Sequence, residues 1–121
     1  MKIELAFIAI FLALLPSPAP AREAREQGRI EFLLHEVGTA KGVTFIRNGA
    51  NYEGEAAAKH LRRKLDYAGE RLHTAEEFIQ YCATESSFTH RKYLVRLPDG
   101  TTEEAAVYFS GLLKEFDHAQ R

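Results

Sequence analysis

The chain has 121 residues, 45% of them hydrophobic and 27% charged, and its net charge is −1. This is the composition of an ordinary globular protein. Because neither sign of charge dominates, it carries no electrostatic footprint for nucleic acid or for an anionic membrane surface.

The chain opens MKIELAFIAIFLALLPSPAPA, in which Lys2 precedes an apolar run from Leu5 to Leu15, a helix-breaking Pro16-Ser17-Pro18 and the small-residue triplet Ala19-Pro20-Ala21. A basic start, a short apolar stretch and an A-x-A site in that order predict a secretory signal peptide over residues 1–21, cleaved after Ala21. The apolar run is shorter than the roughly 20 residues that span a bilayer core, so no stable membrane insertion is expected after cleavage. Residues 22–121 are then expected to form one small globular domain around a single core. Cys82 is the only cysteine, which excludes an intramolecular disulfide and leaves stability to packing.

Ile30, Leu33, Leu34 and Val37 recur at helical spacing and predict a first helix from Glu23 to Val37, ending near Gly38, with a freely charged polar side. GVTFIRNG, residues 42–49, encloses a β-prone run between two glycines. It reads as a short extended segment whose Asn48-Gly49 turn leads into the next helix. That helix is predicted from Glu53 to Leu72, with Ala57, Leu61, Leu65, Ala68 and Leu72 on one apolar stripe and Glu53 and Glu55 favouring the dipole of its first turn. Thr74-Ala75-Glu76-Glu77 is a capping-box signature and starts a third helix. Ala75, Phe78, Ile79 and Cys82 share its inner face, which makes Cys82 a small buried hydrophobe rather than a reactive thiol.

Tyr93, Val95 and Leu97 alternate with Leu94 and Arg96, predicting a short strand that Pro98-Asp99-Gly100 then reverses. Thr101 and Glu104 form a second capping-box candidate ahead of an amphipathic helix carrying Ala105, Ala106, Phe109, Leu112, Leu113 and Phe116, with a frayed tail after Asp117. The predicted fold is mainly α, at the margin of α+β. It is a compact four-helix single domain in which two short strands, Thr44–Arg47 and Tyr93–Leu97, are available to pair as a ribbon leaning on the helices.

Projected at about 100° per residue, Glu53, His60 and Lys64 fall on one flank of the apolar stripe of the second helix, with Tyr67 slightly further round. Either a carboxylate, an imidazole and an ammonium line a groove there, or His60 packs its ring at the helix boundary and Lys64 snorkels. Ser86 and Ser87, with His60 or His90 and a carboxylate, hold the atoms of a nucleophile, a base and an orienter. No G-x-S-x-G elbow strains either serine, however, and serines after a helix commonly serve as caps and turns, so no catalytic residue is assigned. His35, His60, His73, His90 and His118 form no H-x-x-x-H pair and have no cysteine at ligand spacing, so no metal site is predicted. RNGANYEGE lacks both a P-loop lysine and G-x-G-x-x-G spacing, and no cofactor is expected. Arg47 offers a planar guanidinium to a carboxylate of another molecule, or pairs with Glu53, Glu55 or Glu77 of its own chain.

Phe45-Ile46-Arg47-Asn48-Gly49, Tyr52, EAAAKHLRRKL at 55–65, TAEEFI at 74–79 and ESS-x-T-x-x-x-Y from Glu85 to Tyr93 occur in that order. Together they resemble the YfeK-like family of small exported bacterial proteins, a domain of unknown function, over nearly all of residues 22–121. The resemblance implies an exported, periplasmic protein and supplies no activity, substrate or cofactor. It marks Arg47, Asn48, Tyr52, His60, Lys64, Ser86, Ser87 and Tyr93 as matches to the family's recurrent polar residues, either a binding site or a mutually satisfied structural network. Thr89-His90 departs from the family's tendency to a Ser-Gly or Thr-Gly pair, which removes the glycine from a left-handed turn. Val43-Thr44 stands where the family often has a cysteine or serine. The expected function is a noncatalytic periplasmic binding or interaction module, with a periplasmic protein or small ligand as partner. Its contact surface combines residues 45–49, the His60 flank and Ser86 to Tyr93. The alternative is a small cell-envelope hydrolase using Ser86 or Ser87 with His60.

Overall fold

Ile30, Leu33, Leu34 and Val37 line the inner face of helix α1, Ala24–Thr39, where the 3.6-residue period puts them. The structure, a computed structural model, describes residues 21–121; the signal peptide expected over residues 1–21 lies, apart from Ala21, outside the described residues. Three further helices follow, α2 (Gly54–Ala68), α3 (Ala75–Cys82) and α4 (Ala105–Ala119). Four strands complete the fold: β1 (Thr44–Arg47), β2 (Ala50–Tyr52), β3 (Leu94–Arg96) and β4 (Thr102–Glu104). None of the described helices is long and apolar enough to cross a membrane.

The four helices and the pairing of β1 with β3 agree with the sequence, but two strands understate the sheet. The four strands form one antiparallel sheet in the order β2-β1-β3-β4. Each expected strand has acquired a hairpin partner. Asn48 and Gly49 both have positive φ, 51° and 78°, and Arg47 pairs with Ala50. This is the two-residue turn whose twist suits a hairpin, so the chain folds back as β2 before it enters α2. The second capping box does not form. Asp99 Oδ1 accepts from the Thr101 amide (2.9 Å) and hydroxyl (2.6 Å), and residues 102–104 pair with β3. Glu104 occupies the N-cap of α4 without a side-chain cap, and the Ala105 amide donates to the Tyr93 carbonyl at 2.9 Å.

α2 stops at Ala68 rather than Leu72, because Gly69 takes a φ of 59° and a 3-10 turn follows over Gly69–Arg71; Leu72 still reaches the core. At the start of α3 the Thr74 hydroxyl accepts from the Glu77 amide at 3.1 Å, as a capping box requires. The returning carboxylate meets the amide of His73, one residue earlier than expected. The end of α4 continues past Asp117 to Ala119 instead of fraying there. Cys82 is buried as expected, and burial pushes its thiol pKa up.

The largest departure concerns the polar side of α1, which is not freely solvated: Glu26 and Arg29 are buried. Arg29 forms paired hydrogen bonds with both Glu76 (2.6 and 3.0 Å) and Asp117 (2.8 and 3.0 Å), and a single one to Glu26 (2.8 Å). All five of its N–H donors are used. Glu26 Oε1 also accepts from the Ala75 amide at 2.9 Å, so a carboxylate of α1 caps the N-terminus of α3. This network binds α1, α3 and α4 at one end of the molecule. At the other, β1 and β3 lie over α2 and α4, with Phe45, Val95, Leu61 and Phe109 in the shared core.

Candidate functional site

Successive strand residues point to opposite faces, so Phe45 and Arg47 project from the same side of β1. Tyr52 lies opposite Phe45 on β2 and shares that side. α2 meets this face with Ala57, His60, Leu61 and Lys64, whose spacing of three and four residues keeps them on one flank. Tyr93, just ahead of β3, is buried beside them. Local geometry thus brings two basic side chains, two phenols and an imidazole to one place.

Arg47 Nη1 donates to His60 Nδ1 at 3.0 Å, and Nη2 donates to the Tyr52 hydroxyl at 3.1 Å, with the guanidinium carbon 5.2 Å from the Tyr52 ring centre. With Nδ1 the nearer acceptor, the ring proton sits on Nε2, which lies 3.3 Å from both the Tyr93 hydroxyl and Arg47 Nη1. Lys64 Nζ donates to that same hydroxyl at 3.1 Å, lies 5.0 Å from the Tyr93 ring centre, and approaches the Glu85 carbonyl at 3.4 Å. Burial, then the charges of Arg47, Lys64 and Arg63, hold the pKa of His60 down to about 4, so the ring is neutral at neutral pH.

Arg47, Tyr52, His60 and Tyr93 rim a cleft of about 210 Å³ between β1, β3, α2 and the start of α4, while Lys64 lies outside its lining. Phe45, Leu61, Leu94, Ala105 and Phe109 supply apolar walls, and Arg47, Lys59, His60 and Arg63 are its basic residues; no Asp or Glu among the described residues lines it. A second concavity, which shares His60 and Arg63 with the first, is lined also by Lys64, Tyr67, Tyr81 and Ser87, and again no acid among the described residues lines it. The basic run Arg62-Arg63-Lys64 is therefore divided. Arg62 is neutralised by Glu31 on α1 through two hydrogen bonds of 2.6 Å, whereas no carboxylate among the described residues lies within 4.0 Å of Arg47, Arg63 or Lys64.

Asn48 and Ser86 belong to a separate arrangement. The Ser86 hydroxyl oxygen, buried, accepts from Asn48 Nδ2 (3.3 Å) and from the amides of Phe88 and Thr89 (3.3 and 3.4 Å), while the Thr89 hydroxyl donates to Asn48 Oδ1 at 2.6 Å. These contacts fasten the β1–β2 turn to the loop at 86–91. That loop keeps the left-handed conformation despite the missing glycine, with His90 at a φ of 59°. Neither Ser86 nor Ser87 hydrogen-bonds His60; Ser87 is exposed and shares only the rim of the second concavity with it. Among the described residues no group of three His, Cys, Asp or Glu side chains is placed to hold a metal ion.

Five of the eight sequence-selected residues thus converge: Arg47, Tyr52, His60, Lys64 and Tyr93. Asn48 and Ser86 form the loop fastening, and Ser87 stands alone. Glu53 does not join the flank it was projected onto, and Arg47 pairs with none of Glu53, Glu55 or Glu77. Sequence reasoning passed over Arg63, although it stands three residues from His60, and Thr89, whose partner Asn48 is 41 residues away.

The model of the family of unknown function DUF5329 matches residues 24–117. The chain is also 41% identical over 93 residues to the uncharacterized protein YfeK of Salmonella typhimurium, a match covering 76% of this chain and 75% of that protein. No solved structure matches it. The resemblance carried by residues 45–49, 55–65, 74–79 and 85–93 therefore holds, and the chain belongs to the family of unknown function DUF5329.

Proposed function

We propose that this protein is a noncatalytic binding module, exported to the periplasm, whose contact site is the cleft rimmed by Arg47, Tyr52, His60 and Tyr93. The observation that carries the reading is the convergence of these four side chains on a concavity with apolar walls. Such a concavity, with a few polar groups and a perturbed pKa, is the ordinary form of a small-molecule site. Export rests on the basic start, apolar run and A-x-A triplet of residues 1–21.

The site is tested by closing it. Ala56 is exposed and lines the cleft, so Ala56→Trp fills the opening from outside without disturbing a core residue. Wild-type and variant protein, each made from the full chain, are equilibrated with envelope extract, repurified, and the small molecules they carry identified by mass spectrometry. The expected result is a molecule enriched on the wild type and lost from the variant; equal recovery from both refutes the cleft as the site. Export is checked by fractionating cells and sequencing the N-terminus of the periplasmic protein, with Arg22 as the expected first residue.

A further inference from the structure

We infer that the cleft takes an organic anion, an apolar body ending in a carboxylate, rather than a neutral or cationic ligand. This inference rests on the cleft being a binding site and adds the chemical class of its occupant. The first warrant is a count of hydrogen-bonding groups. Arg47 uses two of its five N–H donors, one to His60 and one to Tyr52. Tyr93 already accepts from Lys64 and faces the Nε2 proton of His60, so its own hydroxyl proton points elsewhere. Apart from His60, whose one N–H faces Tyr93, every member of the cluster has donors to spare, and its acceptors, His60 Nδ1 and the phenolic oxygens, are occupied. What completes such a set is an acceptor with several lone pairs.

The second warrant is charge. The sequence holds 17 acidic and 16 basic residues, yet among the described residues the lining of the cleft contains Arg47, Lys59 and Arg63 and no acid; of the three, Lys59 alone has a carboxylate near it, Glu55 at 3.5 Å. Arg29 of the α1 network and Arg62, by contrast, are matched with carboxylates, Arg29 by three and Arg62 by Glu31. Arg47 and Arg63 are left without one beside apolar walls, where a charge-assisted hydrogen bond is stronger than in water. The planar fork of Arg47 suits a carboxylate, and Phe45, Leu61 and Phe109 suit a hydrocarbon or aromatic body. The volume of about 210 Å³ exceeds the roughly 150 Å³ of an apolar cavity that holds benzene, so a body of eight or so carbons is the right scale.

The test is a titration of isotopically labelled protein, followed by amide NMR at neutral pH, with octanoate, octanol and octylammonium. Octanoate is expected to shift the amides of Phe45, Arg47 and Leu61 saturably and to bind at least about tenfold more tightly than either other probe, the scale of one charge-assisted hydrogen bond. Arg63→Met removes an exposed side chain that makes no hydrogen bond among the described residues, so the variant should fold normally and lose part of that preference, the rest resting on Arg47. If octanol and octanoate move the same amides with equal affinity, the cleft binds without selecting charge; the assignment of an anion then falls while the binding module stands. If none of the three moves the cleft amides, both readings fall.

Discussion

Arg47 meets His60 and not a carboxylate, its Nη1 3.0 Å from Nδ1, and that contact exists only while the imidazole is neutral. The folded pKa of His60 is held down to about 4 against an ordinary value near 6.5. The unfolded chain therefore takes up the proton first as pH falls. Stability contributed by neutral His60 is complete above about pH 6.5, declines between there and about pH 4, and levels off below. Carboxylates held low by Arg29 and Arg62, such as Glu76 and Glu31, lose their contribution at lower pH still. Denaturant midpoints measured across this range should show His60→Gln flattening the slope between pH 6.5 and 4 alone. An unchanged slope in that window contradicts the account of His60.

Among the described residues Arg29 is the one cation serving three carboxylates, and it joins three helices. Arg29→Met leaves three carboxylates without their shared cation: Glu26, buried and then paired with Arg25 at 2.8 Å, and Glu76 and Asp117, which reach solvent. A loss of about 3 kcal/mol is expected by urea denaturation, at the lower end of the range for a broken buried pair. Arg29→Lys should rescue only part of it, because an ammonium cannot form two paired contacts at once.

Gly54 begins α2 where the backbone of α1 passes closest. A Cβ built there would overlap the Val37 carbonyl oxygen, and a backbone atom cannot step aside as a side chain can. Gly54→Ala should cost about 1–3 kcal/mol, read as a lower melting temperature, by forcing the α1–α2 contact apart. Retention of the wild-type melting temperature would mean that the helices are not this closely apposed.

His90 holds a left-handed backbone that a side chain adopts at a cost of about 1–2 kcal/mol, partly offset in a glycine variant by its freer unfolded chain. His90→Gly should therefore raise stability by up to about 1 kcal/mol, measured by denaturant titration. A loss of stability would indicate that the ring contributes more than its long contact to Glu85, 3.9 Å, suggests.

The helices were legible because their stripes are long: Ile30 to Val37, Ala57 to Leu65 and Ala105 to Phe116 repeat the helical period over two turns or more. β2 and β4 were not. Ala50-Asn51-Tyr52 and Thr102-Glu103-Glu104 are too short and too polar to show alternation, and their place is set by the turns before them. Thr101-x-x-Glu104 matched a capping box, yet Asp99 takes the threonine first and the hairpin wins. The polar cluster was half legible. Helical spacing united His60 with Lys64, and strand alternation put Arg47 beside Phe45, but only tertiary pairing brings Tyr52 and Tyr93 to them. Of the Arg29 network only the Glu26–Arg29 spacing of three residues is written in the sequence; Glu76 and Asp117, 47 and 88 residues away from Arg29, are joined to it by the fold alone.

The most direct test compares Arg47→Met with wild type in one preparation, measuring octanoate affinity and melting temperature together. If Arg47 is there to recognise an anion, affinity falls about tenfold or more while the melting temperature moves by no more than about 2–4 °C, the scale of a substitution at a partly exposed site. A large drop in melting temperature with octanoate affinity unchanged would show that Arg47, His60 and Tyr52 hold the fold together and bind nothing.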